Sequence, residues 1–320
     1  MKPEQIALLT GWGRGLGSGH IQRMASLVFH LNQSGWCRAH LVCEPYSSLP
    51  PELTTEFKSQ IGTGTELIVR DKRDSTTEEM RLLQQIAPVL TIDDAGAGRF
   101  LADHVVDLLP NLLHQDPDQK EFYKPDMFLF GAGFLQSLKS SSRNHLSRDY
   151  DYALYPGLDA SPDHLDFLRS LIPKDCTSLI LQGTSSYLSV NNVREPFPPL
   201  TYAEALLSSK VMMSHFGITL YEAQAAGCHL VALNPTDYHS RLCGLAQSSL
   251  PMHNLGTKEN LDIDEARTIL REVLQERSMN TSTPRRILEL AQKRLQTIAE
   301  YIRGLMKTDT NETSISADTH

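Results

Sequence analysis

The chain has 320 residues, 40% hydrophobic and 21% charged, with a net charge of −8. That length suits two domains of about 150 residues, and the apolar share supplies ordinary globular cores. An acidic chain without a basic stripe excludes nucleic acid as a partner, since Lys and Arg against phosphates dominate that affinity, but leaves a phosphorylated small molecule open.

The apolar run Ile6–Thr10 predicts a buried strand, and Gly19–Gln33 a helix with Ile21, Met24, Ala25, Val28 and Leu31 on one side. Cys37–Glu44 and Glu66–Arg70 predict two more strands. Thr76–Ile86 has helical spacing, and Pro88–Ile92 reads as a strand ending at Asp93-Asp94. Val105–Leu109 and Met127–Phe130 are further strand expectations. Strands alternating with helices imply a parallel sheet covered on both faces.

Residues 136–150 interrupt the rhythm with Ser, Arg and Asn, so the domain boundary is expected there, giving domains 1–145 and 146–305. The βα alternation then resumes with strand Tyr152–Tyr155, a helix opened by Ser161-Pro162, strand Thr177–Leu181 and helix Pro199–Leu207. Strand Val211–Ser214, helix Thr219–Ala226 closed by Gly227, strand Leu230–Asn234 and helix Tyr238–Ala246 follow. A short segment, Met252–Leu255, precedes helices Asp262–Gln275 and Pro284–Lys307. The polar residues 306–320 are expected to form a disordered tail.

No run approaches the roughly 20 apolar residues of a transmembrane segment, and Ile6–Thr10 is too short for a signal-peptide core. The five cysteines are scattered without a C-x-x-C pair, and the twelve histidines are dispersed. The expectation is therefore a cytoplasmic protein with reduced cysteines, no metal and no cofactor. The oligomeric state is left open.

Three segments carry candidate chemistry. The first is Thr10–His20, with five glycines in nine residues between a strand and a helix. Glycine permits close backbone approach there, and the helix N-terminus favours an anion. Gly17 and Gly19 are expected to bind ligand. His20 would lie in the crevice at the strand C-termini and can act as a general base. A tight βα turn with a locally bonded histidine fits the same residues. The second is Asp93-Asp94 before Gly96 and Gly98. One acid can orient a ligand hydroxyl or the histidine, or either can simply cap the next helix. The third is Ser214–Gly227. Gly217 and Thr219 would hold a diphosphate at a helix N-terminus, and Glu222 would accept ribose hydroxyls. Thr219-x-x-Glu222 equally fits a capping box.

Together these runs resemble the GT-B fold of nucleotide-sugar enzymes, two Rossmann-like domains facing a cleft. The nearest resemblance is to the UDP-sugar hydrolases of pseudaminic acid biosynthesis and the spore-coat polysaccharide family. The lipid-linked N-acetylglucosaminyltransferases of peptidoglycan synthesis are more distant. Gly17-Ser18-Gly19-His20-Ile21-Gln22-Arg23 is similar to the Gly-x-Gly-His-x-x-Arg run of that family, and Thr91-Ile92-Asp93-Asp94 to its strand-Asp-Asp element. Val105–Asn111, Leu129–Phe134, Gly217–Glu222 and Asn254-Leu255-Gly256 match further short motifs in order. The resemblance implies a sugar-nucleotide hydrolase acting on a UDP-linked sugar, with His20 as the base for water, Asp93 and Asp94 beside it, and Glu222 on the ribose. A glycosyltransferase of the same fold and a non-catalytic sugar-nucleotide-binding protein are the alternatives. Two loops depart from the pattern. Tyr155-Pro156-Gly157 stands where the family has Ser-x-Gly-Gly, and Tyr238-His239-Ser240 where it has Gln-x-x-Asn-Ala.

Overall fold

A computed structural model describes residues 3–11, 18–43, 57–58, 60–141, 147–157, 161–182, 186–191, 200–276 and 283–315. The chain forms two compact units. The first is Met1–Leu129 with Ala291–His320, and the second is Phe130–Leu290.

The first unit is built on strands β1 (Glu4–Thr10), β2 (Cys37–Cys43), β3 (Phe57–Lys58), β4 (Leu67–Asp71), β5 (Val89–Ile92) and β6 (His104–Val106). Their order is β3-β2-β1-β4-β5-β6, and every pairing is parallel. This is the doubly wound Rossmann order. A strand covered on both faces needs an unbroken apolar run, and β4 and β5 are buried throughout. Helix α1 (Gly19–Ser34) follows β1, and α2 (Thr77–Gln84) precedes β5. Ala7, Leu9, Ile68, Met80 and Val89 form one side of the core.

The second unit opens with α3 (Ala132–Ser140), β7 (Tyr150–Tyr155), α4 (Pro162–Leu171), β8 (Ser178–Gln182) and β9 (Ser186–Asn191). It continues with α5 (Tyr202–Ser208), β10 (Ser209–Ser214), α6 (Ile218–Ala225), β11 (His229–Asn234), α7 (Asp237–Ala246), β12 (His253–Thr257) and α8 (Ile263–Gln275). The sheet order is β12-β11-β10-β7-β8-β9, parallel except for the β8–β9 pair. Tyr152, Leu154, Val211, Met213, Val231, Leu233 and Leu270 make its core. Helix α9 (Pro284–Ile315) starts in the second unit and passes into the first.

Three expectations are corrected. Met127–Phe130 is not a strand. Pro125 fixes the first position of a short 3-10 turn, Pro125–Met127, and Phe128, Leu129 and Phe130 are buried by packing. The break at 136–150 does not divide the units: the division falls at Leu129/Phe130, and α3, with Phe134, Leu135 and Leu138 burying one face, belongs to the second unit. The tail expected from residue 306 stays helical through Ile315. Its buried stripe, Ile287, Ala291, Leu295, Ile298, Ile302 and Met306, holds the helix by packing past the point where the tail was expected to begin. Residues 316–320 lie outside the described residues. Among the described residues no helix is long and apolar enough to cross a membrane. The five cysteines are buried and stand outside any disulfide.

Candidate functional site

Each sheet has one switch point, where the strand order reverses and the crevice outside the strand C-termini opens. In the first unit it lies between β1 and β4. In the second it lies between β7 and β10. His20 and the Gly217–Glu222 run fall there.

In the first unit, parallel pairing sets Thr10 level with Asp71, so the last residue of β4 arrives beside the helix that follows β1. His20 Nδ1 lies 2.8 Å from Asp71 Oδ1. Arg23, one turn further along α1, donates to the same carboxylate through Nε (2.6 Å) and Nη2 (2.5 Å). Its Nη1 reaches Asp93 Oδ2 at 2.6 Å. Arg23 is 2% exposed and Asp71 is fully buried, whereas the His20 side chain keeps 19% exposure. Burial alone would push the Asp71 carboxyl up; Arg23 first, then His20, hold it down at about 2. A neutral imidazole bonded to a carboxylate through Nδ1–H carries its lone pair on Nε2, the arrangement of a general base.

Asp93 and Asp94 are brought to this edge but part company. Asp93 sits in the left-handed region at φ 52, which Asp tolerates. Its Oδ1 accepts the Leu108 and Leu109 N–H groups at 2.6 and 2.9 Å. Burial raises this carboxyl above the usual range, and Arg23 works against that rise. Asp94 is fully buried and turned to the other side. It accepts from Arg70 Nη1 (3.2 Å), Ser75 N (2.9 Å) and Gly96 N (2.9 Å). Gly96 and Gly98 serve packing: a Cβ on Gly96 would stand 2.2 Å from the Ser75 carbonyl oxygen. Gly19 is the first residue of α1, and Gly17 lies outside the described residues.

In the second unit, α6 starts directly after β10. Helices α2, α4, α5, α7 and α8 are capped by the side chains of Thr76, Ser161, Thr201, Thr236 and Asp262. Helices α1, α3 and α6 have no side-chain cap at Ser18, Gly131 and Gly217. The N–H groups of such an end are suited to an anion. The capping-box reading of Thr219-x-x-Glu222 therefore does not describe this helix. Glu222 is 4% exposed and binds inward: Oε1 accepts from Gly131 N (2.9 Å) and Oε2 from the Tyr202 hydroxyl (2.7 Å). Burial pushes its carboxyl up to about 7, the two hydrogen bonds pulling the other way. Each carboxylate oxygen keeps a second acceptor position. Thr219, in the first turn, is buried.

Sequence reasoning missed Asp71 and the ring cluster around His215. The Tyr155 ring stacks at 6.1 Å on His215, which meets His239 edge-on at 6.5 Å, and Tyr238 meets His239 at 5.6 Å. Gly157, at φ 102, leaves room for it: a Cβ there would lie 3.2 Å from His215 Cε1. Burial, then His239 and His164, push the His215 imidazole down to about 4. The two loops that depart from the family pattern thus meet in one cluster beside the open end of α6. Among the described residues no three His, Cys, Asp or Glu side chains are grouped to hold a metal ion.

No protein-family model matches the chain, and no curated protein does. Solved structures do. S. aureus MnaA, solved with UDP, superposes with a TM-score of 0.58 at 11% identity, covering 95% of this chain and 97% of that one. The glycotransferase of kitacinnamycin gives 0.55 at 13%, covering 96% and 100%. UDP-GlcNAc 2-epimerase from Neisseria meningitidis, bound to UDP-GlcNAc, gives 0.53 at 11%, covering 92% and 100%. At these identities the likeness is one of fold. The chain has the GT-B-like architecture, α/β with two Rossmann-like domains.

Proposed function

We propose that the protein is a sugar-nucleotide hydrolase that takes a UDP-linked sugar, with His20 as general base. The observation that carries this is the His20–Asp71 pair at the first switch point. His20 Nε2 takes a proton from water as the water oxygen attacks the anomeric carbon. The bond from that carbon to the diphosphate oxygen breaks, and the nucleoside diphosphate leaves with the electron pair. The uncapped end of α6 at Gly217–Thr219, with the His215 ring beside it, suits the charge that develops on the leaving group. Glu222 is the acceptor for ribose hydroxyls. The first unit is accordingly the catalytic side and the second the nucleotide-binding side. UDP-bound proteins of the same fold support the choice of nucleotide.

A second reading, transfer to an alcohol in place of water, is favoured by the likeness to a glycotransferase. The chemistry at His20 is the same, with the acceptor hydroxyl losing the proton. Release of nucleotide from a panel of UDP-, GDP- and CMP-sugars, with and without alcohol acceptors, tests both. Release without acceptor that falls about 10²-fold or more in His20→Ala supports hydrolysis. Release only with acceptor supports transfer. A thermal shift by UDP with no release under either condition makes the protein a binding module, and no response to any nucleotide overturns the proposal.

A further inference from the structure

The acids and the arginine around His20 form one connected chain across three strand ends. It runs from the imidazole to Asp71 at the end of β4, through Arg23 on α1, to Asp93 after β5, and on to the Leu108 and Leu109 amides beyond β6. Resting on His20 as the base, we propose that Arg23 is a positioning residue that fixes the tautomer of His20 by clamping the Asp71 carboxylate against it.

Geometry carries the argument. Three nitrogens of one guanidinium are spent on two carboxylates, two on Asp71 and one on Asp93, so Asp71 is clamped in the plane of the fork. The oxygen that faces His20, Oδ1, is one of the two so held. Its position is therefore set by Arg23 as much as by the β4 backbone. Asp93 is fixed in turn by two backbone amides, which stops Arg23 from turning away. Charge gives the second leg. Two carboxyl groups face one guanidinium in a buried cluster, and the Asp71 charge lies against the imidazole. Without Arg23, two buried carboxylates would share the site without a counter-ion, and one would take up a proton instead. The depressed Asp71 carboxyl, at about 2 with Arg23 as the leading favourable influence, agrees with this.

The experiment reads the His20 ring directly. In protein labelled with ¹⁵N-histidine, long-range ¹H–¹⁵N correlation spectra report which ring nitrogen carries the proton, and His20→Gln assigns the signal. The expected result is a neutral Nδ1–H tautomer in the unaltered protein, lost or mixed in Asp71→Asn and Arg23→Met. In turnover assays Arg23→Met lowers kcat about 10²-fold or more and leaves KM within about threefold. Arg23→Lys falls between, because an ammonium cannot reproduce the planar fork. If Arg23→Met does not fold, Arg23→Lys with Asp71→Asn still decides. An Nε2–H tautomer in the unaltered protein, or an unchanged ring signal in these variants, overturns the inference. If no sugar nucleotide is turned over, the functional reading fails while the tautomer measurement still judges this one.

Discussion

The two units present the same edge of the same kind of sheet and furnish it in opposite ways. At the first, three buried arginines pair with acids: Arg23 with buried Asp71 and nearly buried Asp93, Arg70 with buried Asp94 and half-buried Glu79, Arg99 with buried Asp107. At the second, the groups are amides, a hydroxyl and an imidazole, with one carboxyl held between neutral donors. Asn234 accepts from Phe216 N and donates to Asn254, and Tyr202, Glu222 and His215 surround the start of α6. A strand edge paired into fixed ions holds the His20 ring in one orientation. An edge of mainly neutral donors and an uncapped helix end has room for a charge to arrive. Fold alone does not assign roles to the two units; the roles proposed above rest on the side chains at the switch points.

The sharpest way to break this contrast is to remove one ion from the first edge. Asp94→Ala would strip Arg70 of a buried partner and leave the Ser75 and Gly96 amides without their acceptor. The expected loss is about 3–5 kcal/mol of stability, read by urea unfolding with hydrogen exchange in β4 and β5. A loss under about 1 kcal/mol would mean that the charged edge is not structural.

The strands and most helices were legible because a sheet buried on both faces writes itself as short apolar runs. Ser18-Gly19-His20 and Gly217–Glu222 were legible as helix starts because glycine between a strand and a helix marks such a turn. The partners were not. Asp71 lies 51 residues from His20 and Gly131 lies 91 from Glu222, and only the pairing of β1 with β4 or the packing around α6 brings them together. A signal for Asp71 did exist: an Arg-Asp pair closing an otherwise apolar strand is costly to bury without a purpose. Asp93-Asp94 misled in part. Adjacent residues at a strand end point to different sides, so two acids read as one site serve two separate networks.

The second edge is best sharpened by pH. Glu222 is raised from its ordinary 4.5 to about 7, so between those values the folded chain keeps a proton that the unfolded chain has released. Its contribution to stability is full below pH 4.5 and is lost as pH rises to 7. His215 is lowered from 6.5 to about 4, so over that span the unfolded chain holds a proton that the fold refuses. Its contribution grows as pH rises to 6.5. The two oppose each other, and the second unit should show little net dependence between pH 4.5 and 6.5. Glu222→Gln should expose a rising slope and His215→Gln a falling one, each at most about 1.4 kcal/mol per pH unit. Urea midpoints at pH 4.5, 5.5 and 6.5 check this. Slopes of the same sign in both variants would sink it.

The smallest change discriminates best at the open helix end. Gly217 has an extended backbone, φ 164, that any residue adopts, and its nearest outside neighbour, His215 Cδ2, is 4.0 Å from where a Cβ would stand. Gly217→Asp therefore fits. A carboxylate at this N-cap accepts the free N–H groups of α6 and complements the helix dipole, adding about 0.5 kcal/mol of stability. The same carboxylate occupies the place proposed for the diphosphate and repels it. Affinity for UDP should fall at least tenfold, about 1.4 kcal/mol, measured by titration calorimetry at fixed salt. A variant that gains stability while losing UDP separates an anion site from a merely uncapped helix. One that gains stability and binds UDP as before would move the diphosphate away from α6.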